Sequence, residues 1–79
     1  MITVRYFAGL KEITGTEQDY LPITSMTVGE LIEWASNTYD GFSNAAHSIL
    51  VAINEEYVQR NKEIQSGDIV AFIPPVSGG

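Results

Sequence analysis

The sequence predicts a two-layer α+β domain in which one main helix packs on a mixed sheet of four to five strands. Three observations carry this expectation. The chain has 79 residues, enough for one domain and one core. A single long stretch, from Thr27 to about Tyr39, repeats its apolar residues at helical spacing. Short segments rich in β-formers lie on both sides of it, at Ile2–Phe7 and Ile69–Ile73.

In chain order, Ile2, Val4 and Tyr6 alternate with Thr3, Arg5 and Phe7, the period of a strand. The apolar groups in both phases suit a central strand. From Ala8 to Thr14 the period changes: Leu10 and Ile13 stand three apart and Gly15 is a natural helix stop, so one or two helical turns are expected. Gln18–Leu21 reads as a second strand closed by Pro22. Thr27 and Glu30 then form a T-x-x-E capping box, each side chain satisfying the other residue's free N–H. Val28, Leu31, Ile32 and Ala35 give one apolar stripe, with Tyr39 at its end and Gly41 as the expected stop. Trp34 falls off the stripe and is placed at the core boundary. Phe42–Ser48 reads as loop, Ile49–Ile53 as a buried strand, Asn54-Glu55-Glu56 as a turn, and Tyr57-Val58 as the return strand. Gln65-Ser-Gly-Asp68 is a firmer turn because Gly67 accepts positive φ. Ile69–Ile73 is the last strand, ended by Pro74-Pro75, which cannot donate ladder hydrogen bonds. One amphipathic helix among such strands matches the β-grasp, the ubiquitin-like roll, although the pattern leaves strand order open.

Composition narrows function. Ten acidic and four basic residues give a formal charge of −6, and Arg5, Lys11, Arg60 and Lys62 are scattered. Nucleic acid and anionic membranes are therefore poor partners, since both demand clustered cations. The absence of cysteine removes disulfides, thiolate metal sites and any cysteine-borne persulfide. With His47 as the lone histidine, a zinc site is not expected either. The longest apolar runs span five residues, against about 20 for a membrane helix. No secretory signal is visible near Arg5, Lys11 and Glu12, so a soluble, cytoplasmic protein is expected.

The stretch Phe72-Ile-Pro-Pro-Val-Ser-Gly-Gly79 carries the chemistry. Two prolines hold the chain extended as it leaves the sheet, and the flexible tail 74–79 follows from them. Val76, Ser77, Gly78 and Gly79 then reach at most about 14 Å further. Gly78 and Gly79 have no side chains, so the tail suits a narrow channel in another protein. A bare carboxylate is a poor electrophile; activation as an acyl-adenylate lets it accept sulfur as a thiocarboxylate or form an amide. Without cysteine, any sulfur carried must sit on Gly79. Phe7 and Ile73 end the first and last strands, and with Pro74 and Pro75 they make a candidate partner-facing patch beside the tail's exit. His47 reads as a surface histidine, Glu30 and Glu33 as a cap and a solvated side chain, and Glu55-Glu56 as a solvated turn.

With these residues in place the whole chain resembles the small subunit of molybdopterin synthase, within the ubiquitin-like sulfur carriers. The resemblance rests on Ile2-Thr-Val-Arg-Tyr-Phe-Ala8, Lys11-Glu-Ile-Thr-Gly15, Thr27-Val-Gly-Glu-Leu31, Val51-Ala-Ile-Asn54, and above all Gly67-Asp-Ile-Val-Ala-Phe-Ile-Pro-Pro-Val-Ser-Gly-Gly79. It implies a β-grasp domain over residues 1–79 whose Gly79 is adenylated by an ATP-dependent activating enzyme and converted to a thiocarboxylate. The tail would insert into the large synthase subunit and pass sulfur to a cyclic pyranopterin precursor, building the dithiolene of molybdopterin. It further implies a heterotetramer of two small and two large subunits, with the pocket on the large one and no cofactor or metal bound to this chain. Gly78 and Gly79 match the functional tail; Phe7 and Ile73 match apolar contact positions, the second often aromatic in relatives. Three other readings stay open: the carrier of thiazole synthesis, which usually lacks Pro-Pro-Val-Ser before its glycines, a ubiquitin-like modifier of lysines, and a β-grasp binding module with an inert tail.

Overall fold

Strand β1 (Ile2–Tyr6) buries Ile2, Val4 and Tyr6 and turns Thr3 and Arg5 outward, as its alternation requires. The structure, a computed structural model, describes residues 1–75. After β1 come α1 (Gly9–Thr14), β2 (Gln18–Leu21), β3 (Ser25–Thr27), α2 (Val28–Thr38), α3 (Phe42–Ala45), β4 (Leu50–Ile53), β5 (Glu56–Tyr57), β6 (Glu63–Gln65) and β7 (Ile69–Ile73). Five strands form a mixed sheet in the order β2-β1-β7-β4-β5. The central pair, β1 and β7, runs parallel, with Val4 opposite Val70 and Tyr6 opposite Phe72; the other pairs are antiparallel. Helix α2 lays Val28, Leu31, Ile32 and Ala35 on one face of this sheet. The architecture is the β-grasp.

The local signals at α1 and α2 act as expected. Gly15 ends α1 at φ 73° and donates to the Lys11 carbonyl. The capping box is complete: Glu30 N–H donates to Thr27 Oγ1 at 3.1 Å, and Thr27 N–H donates to Glu30 Oε1 at 2.8 Å.

Four expectations need correction. Helix α2 stops at Thr38 with Tyr39 in extended conformation, while Gly41, at φ 87°, starts the next turn instead of ending this helix. Phe42–Ala45 is one helical turn where a loop was expected, because Phe42 is fully buried against Tyr6 and Phe72. The return strand is Glu56–Tyr57, one residue early, since Asn54 and Glu55 alone make the turn, at φ 49° and 73°. Finally, Ser25–Thr27 and Glu63–Gln65 pair as a separate two-stranded sheet that pins fully buried Ile64 opposite Met26. Three-residue strands have no period to read, so only the long-range pairing defines them.

Candidate functional site

The candidate tail residues Val76, Ser77, Gly78 and Gly79 lie outside the described residues; their root does not. Strand β7 is the middle strand of five, so the chain leaves the sheet at its centre. Pro74 is half-buried and Pro75 exposed. Because β1 runs parallel to β7, both end at the same side, and Phe7 N–H donates to the Phe72 carbonyl at 3.2 Å. Strand β1 ends at Tyr6, one residue before the expected end, so Phe7 is the first residue beyond it and lies beside Ile73, the last residue of β7, on the sheet face turned away from α2. Ile73 is half-buried and Phe7 is 39% exposed.

The structure adds residues that the sequence reading passed over. Leu50 lies opposite Ile73 on β4 and is 45% exposed, so it flanks the tail root on the other side. Register carries the same face through Ala71 and Ala52 to Tyr57, 70% exposed. Arg5 stands above the Phe7 ring, its guanidinium 5.5 Å from the ring centre, a distance suited to cation–π attraction. The signal for Arg5 was present in the β1 alternation, which puts it in phase with Phe7. The unbroken apolar run of Ile49–Ile53 concealed the phase of Leu50. Among the chain's ten acidic residues, the two in these five strands, Asp19 and Glu56, stand opposite Val4 and Ile53, in the helix-side phase. The outer face thus joins exposed apolar groups to one cation and no carboxylate, in a chain of net charge −6.

Two features hold this face in place. Directly after Phe7, Ala8 sits at φ 50° and ψ −128°, a conformation that glycine adopts without strain but a side chain does not. That bend ends β1 abruptly and keeps Phe7 on the face. Beneath it, the Tyr6 and Tyr39 hydroxyls both donate to Asp19 Oδ2, the first at 2.8 Å. Burial pushes the Tyr6 phenol well above its ordinary range, and the Asp19 carboxylate adds to the effect. For Tyr39, burial and then Asp19 push the phenol to about 12. Both rings stay neutral donors at physiological pH, tying β1, β2 and the end of α2 together.

Among the described residues, the space beside Phe7 at the tail root is small. The recess beside Phe7, lined by Arg5, Lys11, Glu17 and Gln18, holds about 230 Å³, below the usual 300–1,000 Å³ of small-molecule sites. A roomier groove of about 730 Å³ lies around Tyr57, Gln59 and Lys62, at the sheet's edge. Among the described residues no three His, Cys, Asp or Glu side chains are grouped to hold a metal ion. None of the helices described is long and apolar enough to cross a membrane. His47 is exposed, Glu33 is exposed, Glu30 is engaged as a cap, and Trp34 packs at the core's edge against Tyr39. The geometry is that of an exposed apolar face around the root of the tail.

Residues 4–79 match the profile of the ThiS family. The chain belongs to the ThiS family. Within reach of this family match, a molybdopterin synthase sulfur carrier subunit of Dictyostelium discoideum is 38% identical over 77 residues, covering 92% of this chain and 90% of the relative. The protein of the same name from Escherichia coli is 33% identical over 81 residues and covers both chains fully. Among solved structures, a putative molybdopterin converting factor subunit 1 from Pyrococcus furiosus superposes with a TM-score of 0.80 at 27% identity, over 95% of this chain and 97% of the other. That structure and the one described here share the β-grasp fold.

Proposed function

We propose that this chain is the sulfur carrier subunit of a molybdopterin synthase, with sulfur carried as a thiocarboxylate on Gly79. The observation that supports the reading most is the pairing of full-length similarity to such carriers with an exposed apolar face around the tail root. The chemistry follows from what the chain has and lacks. The Gly79 carboxylate attacks the α-phosphorus of ATP on an activating enzyme, releasing pyrophosphate and leaving an acyl-adenylate. A sulfur nucleophile at the oxidation level of sulfide then displaces AMP, giving the thiocarboxylate. With no cysteine in the chain, no thiol of its own competes for the acyl group.

Transfer takes place in the large synthase subunit. The outer face, with Phe7, Ile73 and Leu50 around the tail root, seats on that subunit, and Val76, Ser77, Gly78 and Gly79 enter its pocket. There the thiocarboxylate sulfur bonds to a carbon of a cyclic pyranopterin precursor in place of an oxygen substituent, and water then cleaves the acyl–sulfur bond, leaving sulfide-level sulfur on the product and returning Gly79 to the carboxylate. This chain supplies the sulfur-bearing group; the acid–base groups belong to the large subunit, in a heterotetramer of two small and two large chains. The carrier itself binds no cofactor, ATP being the substrate of the activating enzyme, and the cycle belongs in the cytoplasm, where that ATP is available.

The test is intact-mass analysis after incubation with an ATP-dependent activating enzyme of such carriers, ATP and sulfide. The expected result is a gain equal to one oxygen replaced by one sulfur, located at Gly79. A chain lacking Gly79 should show no gain and donate no sulfur, with its melting temperature unchanged, because a terminal glycine brings no side chain to a core. An unmodified mass, with the same enzyme active on another carrier, refutes the proposal.

A further inference from the structure

The ladder between β4 and β5 is left half-made at its open end. Ile53 pairs with Glu56 and Ala52 with Tyr57, and Val58 N–H then donates to the Val51 carbonyl at 3.0 Å. In an antiparallel pair the Val51 N–H points the same way and should bond in return. Among the described residues no return bond runs from the Val51 N–H to the Val58 carbonyl, and the N–H of Ile49, two residues earlier in the same phase, has no backbone acceptor. The chain has turned away by then: Lys62 N–H closes a turn on the Gln59 carbonyl at 3.1 Å, and Arg60 reaches across to the Ala46 carbonyl at 2.7 Å. Between this turn and the β4 edge lies a groove of about 470 Å³, walled by Leu50, Tyr57, Val58 and Arg60 with Ile49 and Val51 along its floor. Ile49 and Val51 are only 6% and 5% exposed.

We infer that this groove takes an extended segment of the same protein that seats on the outer sheet face, adding one short strand to the free edge of β4. The inference rests on the reading of that face as a docking surface. Three observations select this occupant. First, these two donors along the groove floor lack a backbone acceptor on that edge among the described residues, and a strand's carbonyls would supply one. Second, Leu50 and Tyr57 belong both to the outer face and to the groove wall, so a partner covering the face runs on into the groove. Third, the wall offers apolar surface beside one cation, Arg60, which suits a segment with an aliphatic residue next to a carboxylate and disfavours a basic one. Strand addition at an exposed edge combines main-chain bonds with a side-chain pocket in this way.

The experiment follows amide hydrogen exchange in the ¹⁵N-labelled full chain, free and bound to the large subunit of a molybdopterin synthase, with the methyl groups of Leu50, Ile69 and Ile73 reporting on the outer face. The expected result is slowing of exchange at Ile49 and Val51 by at least about tenfold on binding. Gln59→Trp, which fills the groove from an exposed position, should weaken binding by about tenfold or more with the methyl signature of the face intact. Methyl shifts on the face without slowing at Ile49 and Val51 overturn the strand addition and leave the docking face standing. No binding and no methyl shifts overturn both.

Discussion

At the β4–β5 turn Asn54 and Glu55 sit at φ 49° and 73°, the pattern of a two-residue type I′ hairpin turn. The two residues differ in how they tolerate it. Asn54 uses its side chain: Ile69 N–H donates to its Oδ1 at 3.0 Å, and its Nδ2 donates to Asp68 Oδ1 at 3.1 Å. Glu55 is exposed and has no such compensation. For an L-residue the left-handed conformation costs about 1–2 kcal/mol. Replacement by glycine removes that cost but adds about 0.5–1 kcal/mol of unfolded-chain entropy. The net expectation for Glu55→Gly is a gain of about 0.5–1 kcal/mol. For a chain of 79 residues the unfolding entropy near 60 °C is about 0.17 kcal/mol per degree, so the melting temperature should rise by roughly 3–6 °C. Calorimetry of the two proteins measures it, with Glu55→Ala as a control that keeps the strain and should gain nothing. A melting temperature for Glu55→Gly at or below that of the parent refutes the backbone argument.

Removing the shared acceptor should have the opposite sign. Asp19→Ala leaves the Tyr6 hydroxyl, on a ring only 2% exposed, without its partner, and should cost about 1–3 kcal/mol in urea denaturation, with Asp19→Asn intermediate; an unchanged midpoint would mean that the pair contributes nothing. Alkaline titration probes the same cluster. The folded-state phenol of Tyr39 lies near 12, above its ordinary 10.0, so the protonated form favours folding. That stability is complete below pH 10 and is lost as pH climbs from 10 toward 12, the direction Tyr6 shares. Urea midpoints measured across this range should fall, and Tyr39→Phe should flatten the fall; a midpoint that rises above pH 10 contradicts the assignment.

An exposed apolar face of the kind proposed to dock a partner sets different demands from an enzyme pocket. It needs no buried general base and no metal, only apolar surface kept exposed without collapse or aggregation. Here the positive φ of Ala8 and the tyrosine pair on Asp19 flank the end of β1, where Phe7 is 39% exposed. The cost of leaving Leu50, Tyr57 and Ile69 in water is supportable because the opposite face of the sheet carries the core, from Ile2 and Val4 through Val70 and Phe72.

Local chemistry by itself determined much of this protein. The capping box at Thr27 and Glu30, the stripe from Val28 to Ala35, the helix stop at Gly15, the turn at Gly67, and the alternation of Ile2 to Phe7 depend on neighbours within a few residues. They are therefore legible in the order of amino acids. So is the tail: two prolines, two glycines and the absence of cysteine state a chemical expectation without any fold. What only the tertiary structure decided are the pairings between residues far apart in the chain. The parallel meeting of β1 with β7 brings Phe7 beside Ile73, and the antiparallel meeting of β4 with β7 adds Leu50. Burial of Phe42 winds a helical turn where loop residues prevail, and Met26 opposite Ile64 makes strands too short to carry a period. These contacts join segments dozens of residues apart, and their favourable energy comes from burying a shared surface that no local pattern records.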